Sequence, residues 1–348
     1  MVASILDLAH LDADAEREHK RLIVERGFRK VGIDQQVPLP LPVPHREGSR
    51  ARIQLRLDSA GRFIMYARGS HDAVEPPVEQ MARAAIAAVV PAVEAWFRAH
   101  ADLAAFIERV ELRTNDDRVV LGLTPKRRKS IPSRRLEGLV ECLGPGGAVA
   151  VGNRAVAGEP RLDFLVGEVS LGFSPKTFFQ VNPDANRQIV SLVRGWMSAL
   201  QPEHVLDLFA GAGNLSIPLA VDGAAVTLVE DNPSACEDAR LNLQRHQQEQ
   251  TVVKRNAVTI DVGEYFADVI LLDPPRGGSG PLVERLTMGR PRAFVFVSCN
   301  ARMLAPDLRH IRQAGYRIDA VHLCDMFPLT SHVETLVLAQ RGDQAPIV

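Results

Sequence analysis

The sequence predicts an α/β fold with a mostly parallel sheet in the C-terminal half and a smaller α+β domain in the N-terminal half. After about residue 183, short and almost wholly apolar runs alternate with segments of helical length. This pattern is typical of parallel strands that are covered by helices on both faces. Before that point, strand-like runs follow one another in pairs joined by turn residues. The chain has 348 residues, more than a single core usually sustains, so we expect two domains.

Residues 1–45 are predicted to form a helix and an extended connector. The polar segment at residues 13–26 predicts a helix that ends at Gly27. Within residues 37–45, proline alternates with other residues. This spacing excludes a helix and a central strand, because proline lacks the backbone N–H and fixes φ.

Residues 46–172 are predicted to form the α+β domain, since strand-like runs here are not separated by regular helices. Alternating polarity and turn residues predict hairpins, and an alanine-rich segment predicts a helix. The predicted elements are a hairpin (52–58 and 62–68), a helix (81–100) that Pro91 kinks, and a second hairpin (108–114 and 118–124).

Residues 173–348 are predicted to form the α/β domain. The first five apolar runs predict parallel strands, with helices between most of them; these strands span 204–209, 225–230, 251–254, 268–273 and 293–298. The clearest helical segments span 232–247 and 301–313. Two further runs, at 321–327 and 332–340, are expected to join the same sheet.

Composition excludes several classes of protein. The formal net charge is −1, so any nucleic-acid surface must be local. We expect a cytoplasmic protein, because the N-terminus lacks the basic and apolar regions of a signal peptide and no apolar run is long enough to span a bilayer. The four cysteines lie far apart, which excludes a metal site built from neighbours and fits free thiols; they are Cys142, Cys236, Cys299 and Cys324.

A glycine loop follows the first strand of the predicted parallel sheet. In DLFAGAGNLS, Gly211 and Gly213 permit a tight turn and close approach of a ligand, and Glu230 ends the next strand, where a carboxylate can bind ribose hydroxyls. A dinucleotide site would have a third glycine where Ser216 stands. Asp207 at the strand end instead suits the cationic sulfonium of S-adenosylmethionine. The alternative without a ligand is an ordinary loop between a strand and a helix.

Three further residues follow or begin strands of the same sheet. Asp273 lies in DPPRGG, after an apolar strand, where prolines would leave its carboxylate facing a cleft. Cys299 ends the next strand; an isolated cysteine is commonly a buried apolar residue, but this position favours a nucleophile. Glu334 is either a solvated strand start or a general base, and nearby His332 is interpreted as structural.

Together these groups suit one difficult reaction, methylation of pyrimidine carbon 5. That carbon is barely nucleophilic until a thiolate adds to carbon 6. The resulting enolate can attack a methyl donor, and a base must then remove the proton from carbon 5 so that the thiolate leaves. The reaction needs one cysteine, one base and one sulfonium donor.

Residues 173–341 resemble the RNA uridine-C5 methyltransferase family, the bacterial enzymes that make 5-methyluridine in tRNA and 23S rRNA. The segments that carry the resemblance are FSPKTFFQVNP (173–183), DLFAGAGNLSIPLA, DPPRGG, SCN and MFPLTSHVE. The resemblance implies a Rossmann-like class I S-adenosylmethionine methyltransferase sheet with S-adenosylmethionine as cofactor. It implies Cys299 as nucleophile and Glu334 as proton acceptor, and it implies cofactor contacts from Gln180, Phe209, Asn214, Glu230, Asn256 and Asp273.

The sequence also departs from the family. Ala301 stands where the family usually has proline, and Leu329 follows Phe327-Pro328 where the family usually has histidine or tyrosine. The cysteine cluster that holds [4Fe–4S] in many rRNA enzymes is absent, so no iron–sulfur cluster is expected. An evident N-terminal OB-like RNA-binding domain is also absent, so the overall layout is closer to that of the cluster-free tRNA enzymes.

Residues 46–172 are interpreted as an RNA-recognition domain because they carry two local basic patches, at 46–68 and 126–135. Each patch could follow a phosphate backbone, although basic residues also protect exposed strand edges. We expect an RNA partner, tRNA or rRNA, with an accessible loop uridine, and no membrane partner. Phe178 and Phe179 are candidates for stacking, though core packing would also explain them.

Three alternatives stay open at this point. The first is an amino-group methyltransferase that acts on RNA or protein and uses Asp273-Pro274-Pro275 to bind the amine. The second is a catalytically silent RNA-binding homologue, which would leave Cys299 and Glu334 without a role. A dinucleotide-dependent enzyme ranks last, because it explains neither of these residues nor the double proline.

Overall fold

The computed structural model describes residues 5–67, 69–126 and 131–343. Two seven-stranded sheets and a separate two-stranded hairpin organise these residues. None of the helices in these ranges is long and apolar enough to cross a membrane.

The N-terminal sheet has the strand order β3-β2-β1-β4-β5-β6-β7. Its pairs are antiparallel except for β5 with β6. The strands are β1 (Arg52–Leu57), β2 (Phe63–Tyr66), β3 (Ala73–Val74), β4 (Ile107–Thr114), β5 (Val119–Pro125), β6 (Ala148–Val151) and β7 (Arg154–Ala157). Both predicted hairpins are therefore present.

Helices cover one part of this sheet. Among the described residues, the α-helices of this region are α2 (Val78–Met81), α3 (Ala84–Ala99) and α4 (Ala101–Ala104). The helix predicted at 81–100 begins only at Ala84, because the backbone of Ala82 is extended and that of Arg83, the residue before α3, is not helical. Pro91 lies inside α3, and the buried residues Ile86, Val93 and Phe97 of α3 belong to the same hydrophobic core as residues of β1, β4 and β5.

The C-terminal sheet has the order β12-β11-β10-β13-β14-β16-β15. The first five strands in this order are parallel, whereas β16 runs antiparallel to both β14 and β15. The strands are β10 (Val205–Leu208), β11 (Val226–Glu230), β12 (Thr251–Lys254), β13 (Val269–Leu272), β14 (Ala293–Ser298), β15 (Tyr316–Cys324) and β16 (Glu334–Arg341). The predicted parallel sheet and its two additional strands are confirmed.

Helices cover both faces of the C-terminal sheet, which explains why its strands are apolar on both sides. One face packs on α5, α6, α7 and the hairpin, and the other packs on α1, α8 and α9. These elements are α1 (Ala13–Arg29), α5 (Pro183–Leu200), α6 (Ser216–Val221), α7 (Pro233–Arg245), α8 (Leu282–Met288), α9 (Ala301–Gln313) and the hairpin strands β8 (Leu162–Val166) and β9 (Val169–Phe173).

The predicted end of α1 at Gly27 is wrong. The helix continues to Arg29, and the position of a Cβ on Gly27 lies 3.6 Å from the carbonyl oxygen of Ala301. The glycine therefore allows α1 to pack closely on the start of α9 and does not end the helix. Residues 37–45 form no helix, and Leu41 forms an isolated bridge to Cys324 at the edge of the C-terminal sheet.

Candidate active site

The predicted chemical groups share one face and one edge of the C-terminal sheet. Side chains two residues apart on a strand point to the same face. The residues two positions inward from these groups, Val205, Leu228, Leu271, Val297 and Leu336, all pack in the same core cluster. Five groups therefore converge at this edge, and they are Asp207, Glu230, Asp273, Cys299 and Glu334.

The strand register brings Cys299 and Glu334 together. Ser298 pairs with Thr335 across β14 and β16, so the next position in the antiparallel register sets Cys299 opposite Glu334. On the other side of β16, Cys324 pairs with Glu334. Cys324 is fully buried, whereas Cys299 is half-buried. Of these two cysteines beside Glu334, Cys299 is therefore the one that solvent can reach.

Burial and nearby carboxylates make both groups hard to ionise in the absence of a ligand. Burial raises the pKa of the Cys299 thiol to about 11, with a further increase from Glu334 and an opposing effect of Arg276. Burial and Asp273 hold the pKa of Glu334 well above its ordinary value, again opposed by Arg276. The Oε2 atom of Glu334 is buried and has no hydrogen-bond partner among the described residues. A cation in this cleft would favour both ionised forms.

Arg276 was not predicted as a site residue. It is exposed, yet its guanidinium interacts electrostatically with Cys299 and Glu334. Its place in DPPRGG, directly after the strand-ending prolines, was the signal available in the sequence.

Gln180 and Asp273 come together from distant parts of the chain. Gln180 precedes α5 and donates from Nε2 to Oδ2 of Asp273 over 3.3 Å. Burial raises the pKa of Asp273 to about 7. The predicted contact of both residues with one ligand is therefore geometrically consistent.

The glycine loop presents bare backbone at the same edge. Phe209 adopts a φ of 66° and Gly211 a φ of 57°, so the chain turns sharply after β10. Nothing among the described residues lies within 4 Å of a Cβ built on Gly211, whereas a Cβ on Gly213 would collide with Ile217. Gly211 thus leaves open space for a ligand, and Gly213 allows close packing beneath the loop.

Glu230 fastens this loop to the next strand. Its carboxylate accepts hydrogen bonds from the backbone N–H groups of Gly211 at 2.9 Å, Asn232 at 2.7 Å and Asp231 at 3.0 Å. Burial raises its pKa, and the bonds from Asn232 and Gly211 oppose that rise. The side chain is therefore held in a fixed orientation beside the loop.

The remaining predicted cofactor contacts differ in their surroundings. Asn214 exchanges two hydrogen bonds with Asn186 of α5, at 2.8 and 2.9 Å; Asn186 had no signal in the sequence. Asn256 is exposed after β12 and caps the short helix Ala257–Thr259 by accepting from the N–H of Val258 at 2.9 Å.

Asp207 provides the test of whether the site fits a cationic cofactor. It is almost wholly buried, and neither carboxylate oxygen has a hydrogen-bond partner within the part of the chain that the structure describes. Burial raises its pKa to about 8; the Ser216 hydroxyl opposes the rise, while Asp273 and Glu230 add to it. A buried acid beside two others, with no cation among its contacts, suits a ligand that carries positive charge, as the sulfonium and amino groups of S-adenosylmethionine do.

Asp207→Asn is expected to stabilise the ligand-free protein while weakening binding of S-adenosylmethionine. Because the folded-state pKa of Asp207, about 8, lies above the unfolded value, this acid lowers the free energy of unfolding as pH rises between the two. The stability difference between variant and parent should therefore grow by about 1.4 kcal/mol per pH unit from pH 5 to 8 and then level off. Denaturant titrations at several pH values measure it, and a difference that is independent of pH would contradict the assignment.

The basic patches are less uniform than the sequence suggests. Arg46 is tied to Glu16, and Arg62 is paired with Asp58. In contrast, the Arg50 guanidinium forms no hydrogen bond or ion pair within the described residues, and burial, followed by the charge of Arg276, lowers its pKa to about 10. Arg68 and residues 127–130, which carry half of the second patch, lie outside the described residues.

Phe178 and Phe179 have different surroundings. Phe178 is 53% exposed, with the Arg52 guanidinium 4.7 Å from its ring centroid, whereas Phe179 is buried against Phe164 and Phe173. Only Phe178 is available for stacking.

Comparison with family models and solved structures supports the expected fold. A model described as tRNA (Uracil-5-)-methyltransferase matches residues 247–342, and one described as Methyltransferase small domain matches residues 191–283. The structure is similar to that of a Pyrococcus abyssi tRNA (uracil-54, C5)-methyltransferase in complex with S-adenosyl-L-homocysteine. The TM-score is 0.78 at 23% identity, over 96% of this chain and 84% of that one. The predicted class I methyltransferase fold is confirmed.

Curated relatives match almost the whole chain. The 23S rRNA (uracil(1939)-C(5))-methyltransferase RlmD of Chromohalobacter salexigens is 32% identical over 96% of this chain and 74% of its own length. The enzyme of the same name from Shewanella halifaxensis is 30% identical over 95% of this chain and 78% of its own length. The resemblance that the motifs predicted is thus confirmed, and the chain belongs to the S-adenosylmethionine-dependent RNA uracil-C5 methyltransferases.

Proposed function

We propose that this chain methylates carbon 5 of an accessible loop uridine in 23S rRNA through a covalent adduct with Cys299. The observation that carries the proposal is the register of β14 and β16, which places the half-buried Cys299 opposite the buried carboxylate of Glu334. The relatives named as 23S rRNA enzymes support rRNA as the substrate, since they match at 30–32% identity over nearly all of this chain.

In this proposal Cys299 and Glu334 act in sequence on one uracil ring. The Cys299 thiolate bonds to carbon 6, which makes carbon 5 nucleophilic towards the methyl donor. Glu334 then accepts the proton from carbon 5, and the electron pair of that C–H bond restores the double bond as the bond from sulfur to carbon 6 breaks. S-Adenosylmethionine, when bound, supplies an electrophilic methyl group and a positive charge.

The acidic edge of the sheet is proposed to hold and orient the cofactor. Asp207 would compensate the positive charge of the cofactor, and Glu230 would bind its ribose hydroxyls. Gln180 and Asp273 would orient the reacting groups. Phe209 and Asn214 would line the same pocket, and Asn256 would contact the adenine edge. Glu334 and Asp273 raise the pKa of the Cys299 thiol. The positive charge of the bound cofactor would lower that pKa, so thiolate formation would be favoured only when the cofactor is present.

Arg50 is proposed to contact a phosphate of the RNA near the target uridine. Its guanidinium has no hydrogen-bond or ion-pair partner in the described ranges, and its pKa is lowered by burial and by the neighbouring cation Arg276. Two adjacent guanidinium groups at the mouth of a cleft suit an anionic substrate.

Arg50→Gln is therefore expected to weaken RNA binding and to reduce the dependence of log Kd on log salt concentration by about one unit per lost phosphate contact. Arg62→Gln is the matched control, because Arg62 is exposed and already paired with Asp58. Binding titrations at several salt concentrations measure both, and equal slopes for Arg50→Gln and the parent would contradict the phosphate contact.

Methyl transfer to unmodified transcripts tests the proposed function. We expect label from S-adenosylmethionine to enter 23S rRNA and to be recovered as 5-methyluridine after digestion to nucleosides. Label in tRNA alone would overturn the choice of substrate. Label on a base amino group would favour the amino-group methyltransferase over the proposed reaction.

A further inference from the structure

The loop between β15 and β16, residues 325–333, leads directly into Glu334. Leu329, in the middle of this loop, has a φ of 67°. That left-handed conformation is unfavourable for a bulky side chain and persists only when the surroundings impose it. The contacts that hold Leu329 therefore help to determine where β16, and with it Glu334, begins.

The N-terminal segment supplies those contacts. The N–H of Leu329 donates to Oε1 of Glu16 at 2.7 Å, and its carbonyl oxygen accepts from the N–H of Leu8 at 2.9 Å. Two residues later, the N–H of Ser331 donates to Oδ1 of Asp7 at 3.0 Å. Residues more than 300 positions away in the chain thus fix the loop by its backbone.

Glu16 belongs to a buried cluster of alternating charges. Lys20 donates from Nζ to Glu16 and to Asp325, each at 2.6 Å, and to the carbonyl oxygen of Phe327 at 3.2 Å. Arg46 donates to the other oxygen of Glu16 at 2.7 Å. Glu16 and Lys20 are 1% and 0% exposed, so this pair and Asp325 lie in contact away from water, and the partly exposed Arg46 closes the cluster on its outer side.

The buried face of α1 carries two charged residues in its first half. Glu16, Lys20, Val24 and Phe28 recur every fourth residue and are all buried. The last two are apolar, as packing alone would favour. Buried charge pairs add little net stability relative to apolar residues, so packing does not explain why the first half of this face is charged.

We propose that Glu16 and Lys20 are positioning residues for Glu334, an inference that rests on the proposed function. They hold the loop at residues 325–333 so that Glu334 enters the cleft opposite Cys299. The Glu334 carboxylate has no hydrogen-bond partner of its own at Oε2 within the described ranges, so the backbone sets its place. A displaced loop slows removal of the carbon-5 proton while methyl transfer, which needs Cys299 and the cofactor, continues.

Single-turnover reactions with methyl-labelled S-adenosylmethionine and RNA test this role. The readout is the partition of methyl label between adduct attached to the protein and free methylated RNA. In Glu16→Leu, adduct breakdown should slow by about 10–100-fold, as expected for a base displaced by about 1 Å, and adduct should accumulate. Glu16→Gln keeps an acceptor for the N–H of Leu329 and should restore most of the breakdown rate. A purely structural defect would lower the amount of active enzyme without changing the partition.

Each outcome separates the positioning role from the proposed function. If the parent forms neither adduct nor 5-methyluridine, the proposed function fails. If the parent reacts and folded Glu16→Leu partitions label as the parent does, the positioning role is overturned. If Glu16→Leu does not fold, as judged by circular dichroism, Asp7→Ala decides, because Asp7 is only partly buried and binds the same loop. Slower adduct breakdown in Asp7→Ala supports the role, and unchanged breakdown overturns it.

Discussion

Cys299→Ala is expected to lower the rate of carbon-5 methylation by at least about 10⁴-fold, as is typical when a covalent nucleophile is removed. Without a thiolate bonded to carbon 6, carbon 5 is too weak a nucleophile to attack even a sulfonium methyl group. Cofactor and RNA binding should persist, because alanine leaves the acidic edge and the basic residues unchanged. Initial rates of label transfer from S-adenosylmethionine measure the effect.

Cys324→Ala is the matched control for this substitution. Cys324 flanks the same glutamate on the other neighbouring strand, but its thiol is fully buried and burial raises its pKa to about 12. We expect Cys324→Ala to lose some stability through the small cavity and to keep methylation. Loss of methylation in Cys324→Ala together with activity in Cys299→Ala would show that Cys324, not Cys299, is the nucleophile.

Glu334→Gln is expected to separate methyl transfer from product release. Glutamine has nearly the same shape but cannot accept the carbon-5 proton, so the methylated adduct should accumulate on the protein while turnover falls by about 10²–10⁴-fold. The fold should tolerate the change, because a neutral side chain relieves the cost of an ionised carboxylate in a position where burial already raises its pKa. Gel analysis of labelled protein and RNA under denaturing conditions measures the adduct.

Asp319→Asn serves as the control for that experiment. Its carboxylate is 2% exposed and lies on β15, paired with Arg317. It should leave the adduct as short-lived as it is in the parent. Free 5-methyluridine from Glu334→Gln at the parent rate would show that another group removes the proton.

Local patterns predicted the C-terminal fold well because its strands are apolar on both faces and its helices begin at clear capping residues. Asn232 and Asn300 each precede a helix and cap it, close to the predicted starts. The predicted end of α1 was wrong. A glycine such as Gly27 often marks a helix end because of its conformational freedom, but here the lack of a side chain allows close packing on Ala301. Only the tertiary contact distinguishes the two uses.

The convergence of the candidate site was predictable from strand ends alone, since parallel strands gather their carboxyl ends at one edge. Charge pairing was not. Arg46 forms an ion pair with Glu16, whereas the Arg50 guanidinium has no ion-pair partner among the described residues. Nor does any local pattern connect Lys20 with Asp325, which lie 305 residues apart in the chain. Such pairs depend on how α1 docks on the finished sheet.

Peptide mapping with RNA that contains 5-fluorouridine tests the covalent account most directly. After attack of sulfur and methyl transfer, carbon 5 carries fluorine in place of a removable proton, so the adduct cannot break down. We predict that, only when S-adenosylmethionine is present, the peptide containing Cys299 carries a methylated fluorouridine nucleotide. An adduct on another cysteine, or conversion of the RNA without any adduct, would contradict the account.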